Sequence, residues 1–315
     1  MRKVIFAVAI IILVSFPLVT LAGCQRQAEP SLPTPSPSPN STLTETKAIT
    51  FPDKGLNATI RKYLGKADGE EIMTTELANL TIIDCLNTRV NRLTGLEYCT
   101  NLTELYLAEN QIEDISPIAS LTNLTELYMS GNYISDISPL ASLIKITSLD
   151  LEHNRISDIS PLASLTNITN LYLGGNKISD ISPLASLTNL TNLYLGTNNI
   201  NDISPLTSLT NITSLCLGGN NISDISPLAS LTKLTDLCLC ENEISNISPL
   251  ANLTNLVKVR LHENQISDIS PLVKNSGFSV GGTVRLEYNN LDTRKDSDDM
   301  DKIRILEDRG VKVDY

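Results

Sequence analysis

From Leu102 to about residue 277, large aliphatic residues return at the same places in every 22-residue stretch. In the first full stretch Leu102, Leu105 and Leu107 come first. Leu105-Tyr106-Leu107 alternates apolar with polar, which is the period of a short strand with one buried face. Asn110 follows where the chain must turn, and Ile112, Ile115, Ile118 and Leu121 bring four more aliphatic side chains inward. Between them, Ser116-Pro117 reads as an N-cap followed by proline at the first helical position, which predicts a short helical or 3₁₀ turn. The asparagine marks each copy: Asn110, Asn132, Asn154, Asn176, Asn198, Asn220, Asn242 and Asn264 stand 22 residues apart.

A period in the twenties with the pattern L-x-x-L-x-L-x-x-N-x-I is the signature of a leucine-rich-repeat solenoid. The fold class expected is therefore an α/β repeat, with short parallel strands on the concave face and 3₁₀ or short helical turns on the convex face. One coil cannot bury enough apolar surface to stand alone, so coils must stack. The asparagine amide both donates and accepts, so a ladder of them can satisfy backbone groups of adjoining coils.

Comparing the copies separates scaffold from surface. Ile-Ser-Pro is constant on the convex side, as in Ile115-Ser116-Pro117 and Ile269-Ser270-Pro271. The outward strand position instead reads Tyr106, Tyr128, Asp150, Tyr172, Tyr194, Cys216, Cys238, Arg260. Adjacent strands lie about 4.8 Å apart, so these residues form one stripe along the concave sheet. Exposed tyrosine and arginine anchor interfaces. The expected binding surface is Tyr106, Tyr128, Tyr172, Tyr194 and Arg260, flanked by Glu104, Glu126, Asp150 and Glu152. The alternative is that tyrosine was copied along with the repeat and covers leucine edges.

The ends read differently. In residues 1–23, Arg2 and Lys3 precede an apolar run that ends Leu21-Ala22-Gly23-Cys24, which resembles the bacterial lipobox. It implies a lipoprotein signal peptide, lipidation at Cys24, and an extracytoplasmic chain held to the membrane by that lipid. Residues 24–47 are rich in Pro, Ser and Thr and read as a solvated tether. In residues 48–79, Leu56, Ile60, Tyr63 and Leu64 fall at helical spacing, and Thr74-Thr75 can cap a second short helix. That makes a helical N-terminal cap for the solenoid of residues 80–291. Its first coil, from Leu80, is degenerate: Thr88 takes the asparagine position, and Cys85 and Cys99 read as small buried apolar residues. Residues 292–315 form a C-terminal cap, with a helix from Asp299 to Asp308 and a closing strand at Val311-Lys312-Val313. The acidic run Asp296, Asp298, Asp299, Asp301 lacks the glycine and distal glutamate of a calcium loop and suits a helix's first turn.

The coils with N-x-I-x-D-I-S-P-L behind a helical cap resemble the internalin-type leucine-rich-repeat proteins of bacteria, over roughly residues 51–290. The resemblance implies a cell-surface protein that holds a protein partner on its concave sheet, without catalysis. Well-studied internalins often follow the repeats with an immunoglobulin-like domain. Here about 25 residues follow Asn290, so the family's particular partners do not carry over.

Composition narrows the partner. Removal of residues 1–23 would leave 22 basic against 35 acidic residues, because Arg2 and Lys3 go and no acid does. A net charge near −13 disfavours nucleic acid. There are two histidines, His153 and His262, in separate coils, and no phosphate loop, nucleophile elbow or metalloprotease motif. A binding protein without cofactor is expected rather than an enzyme. Its partner is a protein or, alternatively, a glycan or cell-wall polymer on the tyrosines.

One cluster stands apart. Cys216 and Cys238 occupy the same position in adjacent coils, Cys240 lies two residues along the strand, and His262 takes the position of Cys240 one coil later. Unpaired thiols, a Cys216–Cys238 disulfide and a thiolate/imidazole metal site in a metal-binding lipoprotein are the three readings. Unpaired thiols are preferred, because tyrosine and glycine at these positions elsewhere are each one base change from cysteine.

Overall fold

The structure is a computed structural model that describes residues 46–315. The signal segment, Cys24 and all but the last residues of the tether lie outside the described residues.

The chain opens with β1 (Ala48–Ile49), α1 (Lys54–Leu64), β2 (Ile72–Met73) and α2 (Thr74–Leu77), β1 and β2 pairing antiparallel. The solenoid strands follow: β3 (Ile82–Asp84), β4 (Glu104–Tyr106), β5 (Glu126–Tyr128), β6 (Ser148–Asp150), β7 (Asn170–Tyr172), β8 (Asn192–Tyr194), β9 (Ser214–Cys216), β10 (Asp236–Cys238) and β11 (Lys258–Arg260). α3 (Ser270–Lys274), β12 (Thr283–Arg285), α4 (Asp298–Asp308) and β13 (Lys312–Asp314) close the chain. Strands β3 to β13 form one 11-stranded parallel sheet in chain order. Neighbours pair at the repeat offset, as Leu105↔Leu127 and Leu127↔Leu149. Every framework aliphatic is sealed inside, Leu105, Leu107, Ile112, Ile118 and Leu121 among them. The leucine-rich-repeat solenoid read from the spacing is the fold observed.

The asparagines bridge coils. Asn176 Nδ2 donates to Leu173 O and Gly174 O in its own coil and to Leu151 O in the coil before, while its Oδ1 accepts from Ile156 N. Each asparagine from Asn110 to Asn264 repeats this arrangement, and Asn289 extends it into the stretched last coil. Thr88 has only cap residues behind it, and its hydroxyl bonds within its coil to Cys85 O at 2.8 Å. Three further ladders run through residues that the sequence pattern had left without a role. Thr125 Oγ1 donates to Thr103 O, Asn189 Nδ2 to Thr166 O, and Ser164 Oγ to Ala141 O, each with equivalents in other coils.

The convex turns start differently from the expectation. Ser116 is the first residue of its 3₁₀ turn rather than its N-cap, and the cap position, Ile115, makes no side-chain bond. Asp114 does the capping: its Oδ1 accepts from Ser116 N at 2.8 Å. The same aspartate turn recurs through the coils, with Asn246 substituting once at 2.9 Å. A carboxylate two residues back reaches the exposed amide better than a serine already inside the turn.

At the N-terminal end, Leu56 and Ile60 of α1 seal the first coil, whereas Tyr63 stays exposed. Asp53 caps α1 through Leu56 N and also accepts from Asn91 N, joining the helix to the coil behind it. Gly95 has φ +103°, and a Cβ there would sit 2.6 Å from the Phe51 ring, so this close approach needs glycine. α2 departs from the expectation of a Thr74 cap. Met73 holds the cap position and Glu76 reaches back to Met73 N at 2.8 Å. At the other end, Asp298, Asp299 and Asp301 lie in the first turn of α4, and Ser297 caps it through Met300 N. Asn275, wholly buried, bonds Leu250 O and Leu253 O and anchors the inserted loop.

Candidate binding surface on the sheet

Parallel pairing with unbroken register puts Tyr106, Tyr128, Asp150, Tyr172, Tyr194, Cys216, Cys238 and Arg260 side by side across seven adjacent strand pairs. Strand spacing near 4.8 Å is also the distance at which aromatic rings stack. Tyr106 and Tyr128 stack with centroids 5.1 Å apart and planes 3° from parallel, and Tyr172 and Tyr194 stack at 4.9 Å and 26°. Asp150 separates the pairs. The tyrosines are half-buried against one another, with hydroxyls held at Glu104 Oε2 (2.9 Å, from Tyr106) and Ser214 Oγ (3.0 Å, with Tyr194).

Glu104, Glu126, Asp150 and Glu152 line the N-terminal half, whereas the C-terminal half mixes Lys258, Arg260 and Arg285 with Asp236, Glu241 and Glu287. Burial raises the pKa of Asp150, whose Oδ1 still accepts from Glu152 N at 3.0 Å. Burial and the Asp150 charge raise Glu152 likewise. Arg260 is bound to Asp236 at 2.8 Å. Burial, with the Glu104 hydrogen bond behind it, pushes the Tyr106 phenol well above its ordinary range.

The thiol cluster differs from its sequence outline. All described cysteines are free. The short sulfur contact is between Cys238 and Cys240 along one strand, at 3.3 Å. Although it sits in the outward row, Cys238 is only 5% exposed. Hydrogen bonds from Cys216 and Cys240, and then Arg260, converge on Cys238 and lower its pKa below those of the two neighbouring thiols. Donor atoms of Cys240, Glu241 and His262 lie within 4.8 Å of one another, a set that adds Glu241 to the cluster read from the sequence and omits both Cys216 and Cys238. Cys85 and Cys99 are separate and inert: burial pushes their thiols up to about 11 and about 12.

Sequence reasoning also passed over Tyr133, whose ring lies 4.4 Å beneath the Arg155 guanidinium, and Tyr288, 81% exposed beyond the last full coil. The first is a cross-coil pair at the repeat offset. The second follows the inserted loop, where the period no longer helps.

A sheet of identical coils with one variable face defines a leucine-rich-repeat binding scaffold. The family of leucine rich repeats (2 copies) matches in seven segments between residues 78 and 274. Among solved structures, an internalin (inlF) from Listeria monocytogenes is similar at 38% identity and TM-score 0.77, over 84% of this chain and 75% of that one. Internalin C2 (inlC2) from the same organism is similar at 44% and 0.65, over 67% and 94%. The chain belongs to the internalin-type leucine-rich-repeat proteins. More distantly, the plant peptide hormone receptor RGFR1 in complex with RGF2 shares the fold, at 23% identity and TM-score 0.53 over 62% of this chain and 37% of that one. A comparison with curated proteins finds no match. No helix among the described residues is long and apolar enough to cross a membrane.

Proposed function

We propose that this chain is a lipid-anchored, extracytoplasmic binding protein that holds a protein partner on its concave sheet, anchored through Cys24 and the tether of residues 24–47. The carrying observation is the pair of stacked tyrosine couples on the one face where the coils differ from each other. Solenoid folds use such extended faces for binding. In each couple one face of each ring is covered by its partner, and ring edges stand beside carboxylates and hydroxyls, a mixture that suits the polar and apolar surface of a protein. The acidic N-terminal half favours a partner with a basic patch. Binding, not catalysis, fits a face whose histidines stand in separate coils.

The test is the double variant Tyr172→Ala/Tyr194→Ala. A partner isolated with the wild-type chain and then purified should lose at least about 2 kcal/mol of affinity in titration, the scale of interface anchors, while the melting temperature holds. Undiminished partner binding would refute the concave assignment. Saturable binding on a glycan array, lost in the same variant, would move the reading to a glycan ligand.

A further inference from the structure

Two buried side-chain polar atoms among the described residues have no hydrogen-bond partner, His262 Nδ1 and Glu287 Oε2. They lie in adjacent coils at the same strand-end position, and His262 is also one of the three residues whose donor atoms converge within 4.8 Å. A shielded imidazole nitrogen without a donor costs free energy unless something fills the place. The groups beside it are Cys240 and Glu241, with the Cys238 sulfur 3.3 Å from that of Cys240. One thiolate, one carboxylate and one neutral imidazole balance a divalent charge, and sulfur with nitrogen selects a borderline-soft ion.

We propose that Cys240, Glu241 and His262 form a zinc site at the C-terminal half of the concave sheet, three protein ligands with the fourth position open to water. Binding forms the sulfur–zinc bond as the Cys240 thiol proton leaves to solvent, so acidification releases the ion. Of the nearby cations, Arg260 is paired with Asp236 and also bonds Cys238, which lies outside the ligand set, and Arg285 is paired with Glu287 Oε1, both ion pairs at 2.8 Å. This site stands independently of the protein partner, because its test uses the metal alone.

The reduced full chain is titrated with Co²⁺, and then with Zn²⁺ in competition. Thiolate-to-cobalt charge transfer and tetrahedral visible bands, erased by zinc, are expected. Cys240→Gly should abolish them with the far-ultraviolet circular dichroism unchanged, because Gly174, Gly196 and Gly218 hold this position in the three preceding coils. His262→Gln, which keeps the thiols, should weaken cobalt binding about tenfold or more. A wild-type chain without charge transfer would overturn the proposal. So would a Cys240→Gly spectrum identical to wild type, or Cys240 found in a disulfide in the chain as isolated.

Discussion

At the residue scale, the ladder asparagine does the most work per atom. Asn176 makes hydrogen bonds of 3.0 Å to Leu151 O, Leu173 O and Ile156 N. Alanine would leave Ile156 N without its acceptor, while Leu151 O and Leu173 O would keep only Asn154 and Asn198 respectively. Asn176→Ala should cost roughly 1–3 kcal/mol in chemical denaturation, with a lower melting temperature. An unchanged midpoint would mean that water takes over the amide's role. The left-handed residue just before each ladder position belongs to the same corner. Glycine fills it at Gly131, Gly175 and Gly219, and Glu109, His153, Thr197 and Glu241 hold the same conformation with side chains. Glu241 is thus aimed toward Cys240 and His262 by the turn itself.

At the element scale, the convex turns set the pH response. The Ser138 backbone amide and then its hydroxyl hold the Asp136 carboxyl below its usual range, with Asp180 and Asp224 alike at Ser182 and Ser226. The Ser270 hydroxyl and amide, with Lys302 behind them, bring Asp268 to about 2. A carboxyl whose folded pKa lies below its unfolded value of about 4 contributes stability that is complete above that value. The contribution is lost as pH falls through the folded pKa. Stability should therefore decline between about pH 4 and about pH 2. Asp224→Asn should flatten part of that decline while leaving neutral-pH stability nearly unchanged, since Asn246 already caps a turn in the same way at 2.9 Å. Acid titrations of both proteins by circular dichroism would check this, and parallel curves would contradict it.

At the scale of the whole molecule, coils contact only their neighbours, so stability is close to a sum of coil and interface contributions. Deleting residues 177–198 removes one period and joins Asn176 to Asn199, in register with every ladder. That variant should fold, with an unfolding slope in denaturant smaller by about a tenth. A deletion of half a period should not fold, because leucine positions would meet polar ones.

The coil, its buried positions and its 22-residue register were legible because interior packing demands the same residue type at the same place in each copy. Position alone also located the tyrosine stripe and the thiols. What depended on partners across coils was not legible. The Asp114 cap on Ser116, the serine, threonine and second asparagine ladders, and the antiparallel β1–β2 pair carry no period of their own that hydrophobicity would reveal. The sequence by itself thus determined the fold and which face varies, because periodic burial leaves one way to stack. Only the tertiary structure decided that the tyrosines pair two by two, that Cys238 is covered, and that Glu241 joins Cys240 and His262. Those outcomes depend on side-chain direction and on gaps of a few ångströms between neighbouring coils, which a one-dimensional pattern does not specify.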